Sequence, residues 1–538
     1  MSSFVTSSAR VGCTALGILF AAGSACGQEA VRRLPSSNGA PTLIVFITVD
    51  QLTPDYFDRY ASQLTGGFGR LLKGGAVFTN GFQDHGVTET APGHASALSG
   101  RFPRGTGIIR NDAGVEDPQA PIIGDSSMTG ASPFRFRGST LIDWLRTRDE
   151  RSRALSVSRK DRGAILPLGR AHQPVFFYSP TGNFTTSTYY ADTLPAWLQR
   201  FNARRVPASY AGRSWDLLLA ASAYAEPDTV PFEANGEGFV FPHRMPADPA
   251  GAARILANYP FMDEVTAQVA LAGVRAERIG GGPATDVLAV SFSTTDAVGH
   301  KYGPDSREIH DQILRLDRTI GAFLDTLFAL RDSSKVIVAL TADHGITSLP
   351  EVYMQRTGQE ARRVSLSPLV TRARAALAPG GVSRAAVIFS DGMLVVDRRA
   401  LETAKIDADS LVAAFVRDAR ATPGVLRADL AKDVARDTMN PIMRRWSHSL
   451  PPDAPVEAVV TLQQHSVWSA PDVMIAEHGS PYDSDAHVPI IFFGAPFKPG
   501  RYASFARVVD MAPTLAYVVG VSPTEVLDGK VLTEALRP

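Results

Sequence analysis

Short apolar, β-branched runs that stop at a polar side chain recur four times along the chain. Leu43–Val49 stops at Asp50, Val287–Ser293 leads to Asp296 and His300, and Val336–Ala342 stops at Asp343 and His344. A fourth run, Val488–Gly494, has His487 directly in front of it. Runs of this length without polar interruption predict strands buried on both faces, as in a parallel sheet. Open α/β sheets build their sites outside the carboxyl ends of such strands. Between the second and third runs, Ile309, Ile313, Leu316, Ile320, Phe323 and Leu327 make one stripe. Pro304–Leu330 is therefore expected as an amphipathic helix capped by Asp305 or Ser306, and the whole stretch as a βαβ crossover. A further helix is expected from Asp510 through Val518. Gly280–Pro283 reads as a turn into the second strand, with no helix start behind it to make a phosphate cradle.

Two regions break the alternation of strand and helix. Residues of about 165–255 are rich in aromatics with Pro and Gly punctuation, and about 350–475 are mixed. Because candidate ligands lie on either side of both, they are expected as insertions into one domain spanning 42–538. Residues 28–41 read as a polar linker, and 1–27 as a secretory signal: Arg10, the apolar stretch Val11–Ala22, then small residues up to Cys26. The stretch is too short for a stable membrane anchor. Both cysteines, Cys13 and Cys26, belong to this segment, so no disulfide is expected in the mature chain. Cys26 could carry a lipid, but Gly23 stands where a larger aliphatic is usual, which favours plain cleavage and release. Lysine plus arginine equals aspartate plus glutamate, 54 each, so no global charge argues for a nucleic acid or a membrane surface.

The strand ends together offer Asp50, Asp296, Asp343, His300, His344 and His487, enough to hold two metal ions side by side. Asp296 and His300 are four residues apart, so a helical turn points both the same way, and such nitrogen and oxygen donors suit Zn²⁺. Each alone could equally be a cap or a satisfied polar group; the repetition at several strand ends is what argues for chemistry. A two-metal site implies displacement at a phosphoryl or related centre. In Thr88–Gly100, Pro92 suits a first helical turn, which puts Thr90 at a helix N-terminus where negative charge is favoured. Thr90 is either a nucleophile or an ordinary N-cap. His94, in the same helix, is read as structural support rather than a ligand.

These residues carry a resemblance to the alkaline phosphatase superfamily, in its phosphodiesterase/nucleotide-pyrophosphatase-like branch. The match is nearest to the threonine-nucleophile, phosphate-irrepressible bacterial alkaline phosphatases and runs from Thr48–Asp50 to Asp510–Thr514. The resemblance implies an α/β fold with a doubly wound, mostly parallel sheet flanked by helices and carrying inserted cap or crown segments. It also implies two Zn²⁺ per chain, one among Asp50, Thr90, Asp343 and His344, the other held by Asp296, His300 and His487. Asn111, in Gly107–Asn111, is implied as a donor to a phosphoryl oxygen. Lys160 and Arg162, in Ser158–Gly163, match the Lys-x-Arg pair of the family's monoesterases, which its nucleotide diesterases lack. On an extended strand both side chains would face one side. One ammonium and one guanidinium fork suit the extra oxygens of a monoester dianion.

The expected protein is thus a zinc alkaline phosphatase working on small phosphate monoesters through a phosphothreonine. It is expected to be monomeric, exported to a bacterial periplasm, with no nucleic acid partner and no membrane span. A phosphodiesterase or nucleotide pyrophosphatase of the same fold is the alternative. Sulfatase chemistry is excluded, because it needs a Cys or Ser to convert and Thr90 supplies neither.

Overall fold

A computed structural model describes residues 40–469 and 475–538. The signal segment, nearly all of the linker, and both cysteines lie outside the described residues. Nine strands form the main sheet: β1 (Leu43–Val49), β2 (Ala76–Phe82), β3 (Ala154–Ser158), β4 (Val175–Tyr178), β5 (Phe184–Thr185), β6 (Asp286–Phe292), β7 (Val336–Thr341), β8 (Ile490–Phe493) and β9 (Gly500–Arg507). Their spatial order is β9-β2-β8-β7-β1-β6-β3-β4-β5. Every pairing is parallel except those of β8 with β2 and β7, and of β5 with β4. β1, β6 and β7 are buried at every residue, as uninterrupted apolar runs require of central parallel strands.

Register aligns the strand ends. Thr48 lies opposite both Ser291 and Thr341, so two further steps along each strand bring Asp50 level with Ser293 and Asp343. The crossover from β6 to β7 passes over β1 through a helix at Arg307–Leu330, whose N-cap Ser306 accepts from the Ile309 N–H at 3.1 Å. β8 runs against its neighbours, so its beginning, not its end, meets the edge where β1, β6 and β7 finish.

The aromatic region differs from the expectation. It does not leave the sheet at about 165, because β4 and β5 extend the sheet within it. Beyond them, a two-stranded ribbon pairs Ser214–Trp215 with His243–Arg244. It is anchored by the buried Asp311, which accepts from Trp215 Nε1 at 2.7 Å, Leu218 N–H at 2.6 Å and Tyr224 OH at 2.6 Å. The second region contains its own antiparallel sheet, ordered Val387–Ser390, Met393–Val396, Val456–Leu462, Val425–Leu430. That sheet has a separate apolar core, including Leu377, Leu394, Leu401, Phe415 and Val460. Arg444 and Arg445 tie the region back to Asp84, just past β2, at 3.2 and 3.4 Å. Trp446 packs so closely on Gly86 that a Cβ there would lie 2.9 Å from the indole.

Candidate active site

The carboxyl edge of the sheet gathers a buried cluster of acids and imidazoles. Helix α1 (Thr90–Ala97) follows β2 by a short loop, and Thr90 is its first residue, 1 % exposed. Glu89 takes the cap position in extended conformation, leaving the first amides of α1 free of a side-chain cap. Asn111 fills part of that gap: its Oδ1 accepts from the Ala91 N–H at 2.8 Å, while Glu89 Oε2 accepts from the Asn111 N–H at 2.7 Å. Helix α2 (Asp161–Ile165) starts directly behind β3, with Lys160 at its cap and Arg162 in its first turn. The expected extended strand under this pair is therefore a strand-to-helix turn. Helix α3 (Thr294–Tyr302) carries Asp296 and His300 one turn apart, as their spacing demands, with His300 Nε2 3.4 Å from Asp296 Oδ1.

Among the described residues two trios place one donor atom each within 4.8 Å of one another: Asp296–His300–His478 and Asp50–His94–Asp343. His344 stands between them, its Nε2 3.5 Å from Asp343 Oδ2 and 3.8 Å from Asp296 Oδ1, its ring stacked on His478 at 3.6 Å. Lys160 joins the trios: Nζ is 2.9 Å from Asp50 Oδ2, 2.7 Å from Asp296 Oδ2, and donates to Thr90 Oγ1 at 3.1 Å. Asp50, Thr90, Lys160, Asp296, His300, Asp343 and His344 thus come together as the sequence suggests.

His487 does not. It bridges to Phe82, stacks on that ring at 5.0 Å, and its Nε2 lies 3.1 Å from the Thr79 carbonyl. The histidine beside Asp296 and His300 is His478, with Nε2 3.1 Å from His300 Nε2 and 3.7 Å from Asp296 Oδ1. The cause is the direction of β8: the residue just before an antiparallel strand is still paired to its neighbour, whereas the loop further back is free to reach over the edge. A signal existed in the sequence, because His344 and His478 are each followed by Gly. Gly479 has φ +101°, a turn open to glycine. His94 also sits deeper in the site than expected, Nε2 3.3 Å from Asp50 Oδ1 and 3.6 Å from Asp343 Oδ2.

Electrostatics sort these groups. Burial opposes ionisation of Asp50 and Asp296, yet Lys160, helped by His94 at the first and His300 at the second, holds both well below the carboxylate range. Burial, with the charge of Asp50, pushes Asp343 up. Burial pushes His344 down to about 4 against the pull of Asp296, and lowers His478 as well, with the neighbouring imidazoles adding to it. His300 goes the other way: despite burial, Asp296 raises it to about 8.

This donor set fits divalent cations. Asp343 Oδ2 and His344 Nε2 are buried yet find no hydrogen-bond partner among the described residues, an arrangement that costs free energy unless something else satisfies them. His344 and His478, held neutral, and Asp50 and Asp296, held ionised, already have the ligand forms a cation needs, whereas His300 and Asp343 would give up a proton on binding one. Arg162 Nε is likewise buried without a partner, a donor fit for an anion.

The profile of the family described as type I phosphodiesterase / nucleotide pyrophosphatase matches residues 44–417. The chain is 30% identical to the alkaline phosphatase PhoV of Synechococcus elongatus, over 98% of this chain and 99% of that protein. It is 31% identical to the alkaline phosphatase PhoK of a Sphingomonas species, over 91% of each. The crystal structure of the alkaline phosphatase PafA superposes with a TM-score of 0.85 at 27% identity, covering 93% of this chain and all of that one.

Proposed function

The chain belongs to the type I phosphodiesterase / nucleotide pyrophosphatase family of the alkaline phosphatase superfamily, and we propose that it hydrolyses phosphate monoesters through a phosphothreonine at Thr90. The observation that carries this reading is the position of Thr90. Its Oγ1 lies at the N-terminus of α1, 3.1 Å from the Lys160 ammonium that spans the two Asp/His trios. The relatives named alkaline phosphatases match over nearly the whole chain, which supports phosphate monoesters as the substrate class.

Asp296, His300 and His478 would hold one divalent cation, and Asp50, Asp343, His344 and Thr90 a second, with His94 bracing Asp50 and Asp343. Zinc suits these donors, and when bound it supplies positive charge that favours ionised oxygens at the nucleophile and leaving group. Thr90 Oγ1, its proton released to solvent and aided by the amides and dipole at the start of α1, attacks phosphorus as the bond to the leaving oxygen breaks in line, and the departing alkoxide takes a proton from solvent. Water then displaces the threonine from the other side. Asn111, whose Oδ1 is committed to the Ala91 N–H, presents its Nδ2 donors to one equatorial oxygen. Lys160 and Arg162 take the charge on the others, so most of the rate comes from positioning and fixed charge. A diester carries an organic substituent where one of those oxygens would be and leaves a cation unmatched.

No described helix is long and apolar enough to cross a membrane. Export to a bacterial periplasm, as a monomer released behind residues 1–27, completes the proposal. Thr90→Ala tests it: turnover of p-nitrophenyl phosphate should vanish while zinc binding persists. Near-normal hydrolysis by that variant would remove Thr90 from the nucleophile's role.

A further inference from the structure

Gln51 follows Asp50 immediately and is fully buried, yet its backbone has φ +66°, a left-handed conformation in which a non-glycine residue is strained. Strain of this kind persists only where the surroundings over-determine it. Here they do so from two sides. The Gln51 N–H donates to Asp343 Oδ1 at 3.1 Å, and its side-chain Nε2 donates to Asp296 Oδ1 at 3.2 Å. One residue thus gives one donor to each Asp/His trio while its amide nitrogen is joined through the peptide bond to the third acid, Asp50. The amide's other end, Oε1, is buried without a hydrogen-bond partner among the described residues and pressed on α3, where a Cβ added to Gly299 would lie 1.8 Å from it. Gly299 sits between Asp296 and His300, so α3 can approach only because that residue is glycine.

We propose that Gln51 is a positioning residue that fixes the separation of the two cation sites, its side chain orienting Asp296 and its backbone orienting Asp343. Partners of this kind set the direction of a ligand's lone pairs and commonly change metal affinity by about 10–100-fold when lost. Gln51→Gly suits the positive φ and keeps the backbone donor, so it deletes the Asp296 bond alone. Gly299→Ala expels the amide from the opposite side and loses the same bond. Because both act through one contact, their effects do not add.

The inference rests on the two-cation reading, which the wild-type protein tests first: zinc-loaded chain should carry two ions and release them to a chromophoric chelator in two phases. The phase missing from His478→Ala marks the ion at Asp296–His300–His478. Gln51→Gly is expected to weaken that ion about 10–100-fold and leave the other unchanged. Gly299→Ala should do likewise, and the double variant should match Gln51→Gly, with circular dichroism confirming the fold of each. Fewer than two ions in wild type overturns the two-cation reading and this inference with it. Two ions in wild type with both phases unchanged in Gln51→Gly, with both phases equally weakened, or with additive losses in the double variant, overturns the role of Gln51 alone.

Discussion

Replacing Lys160 by methionine deletes a charge from the centre of the site while keeping most of the side chain's volume. The Lys160 side chain is 7% exposed and its ammonium lies 2.9 Å from Asp50 Oδ2 and 2.7 Å from Asp296 Oδ2, so in chelator-treated protein it is the cation that both acids face. Removing one partner of a buried ion pair leaves uncompensated charge and costs about 3–5 kcal/mol. With an unfolding entropy of about 2.1 cal/mol/K per residue over roughly 500 residues, that loss lowers the melting midpoint by about 3–5 °C. In zinc-loaded protein the same carboxylates have divalent partners, and the penalty should shrink to about 1 °C on the same entropy. Calorimetry on wild type and Lys160→Met, each with chelator and with zinc, reads both numbers. Equal losses under the two conditions, or no loss with chelator, would refute the reasoning that Lys160 and the cations serve the same carboxylates. Activity of the zinc-loaded variant should fall on the order of 10²–10³-fold, the usual cost of one lost donor to the transition state.

His478→Ala is expected to lower zinc content from two ions to one, whereas His487→Ala should leave it at two; plasma emission spectrometry on the purified variants decides between them. Glu233 is 3 % exposed and its carboxyl is pushed up to about 9, by burial first and then by Glu308, Asp228 and Asp305. Between the unfolded value of about 4.5 and about 9 the unfolded chain has released this proton and the folded chain keeps it, so stability falls as pH rises through that window. Glu233→Gln should therefore melt at a higher temperature than wild type at pH 8, with an advantage that grows by on the order of 1 kcal/mol per pH unit from pH 6. A constant difference across that range would exclude the titration.

The parts of the fold that could be read in the sequence are those whose burial is two-sided. β1, β6 and β7 announce themselves because each residue meets apolar surface on both faces, and Asp50, Asp296 and Asp343 follow from where those runs stop. The crossover helix is legible from its period instead, one apolar stripe facing the sheet and the other face polar. β4 and β5 are hidden inside an aromatic stretch, because strands this short share their composition with packed loops. The Lys160–Arg162 turn reads as strand because Ala154–Ser158 before it is one, and nothing local marks the switch to helix. Adjacency to β8 points to His487 and not to His478, because sequence position says nothing about strand direction. Gln51 had no signal at all: its role depends on a positive φ and on a glycine almost 250 residues away.

The central claim, a phosphate monoesterase whose choice of ester is set by Lys160 and Arg162, is tested most directly by one ratio. That ratio is kcat/KM for p-nitrophenyl phosphate over bis-p-nitrophenyl phosphate, measured on zinc-loaded wild type and on Lys160→Ala/Arg162→Ala. Wild type should favour the monoester, and the double variant should lose monoester activity far more than diester activity. A wild type that prefers the diester, or a pair of losses of equal size, would contradict the account.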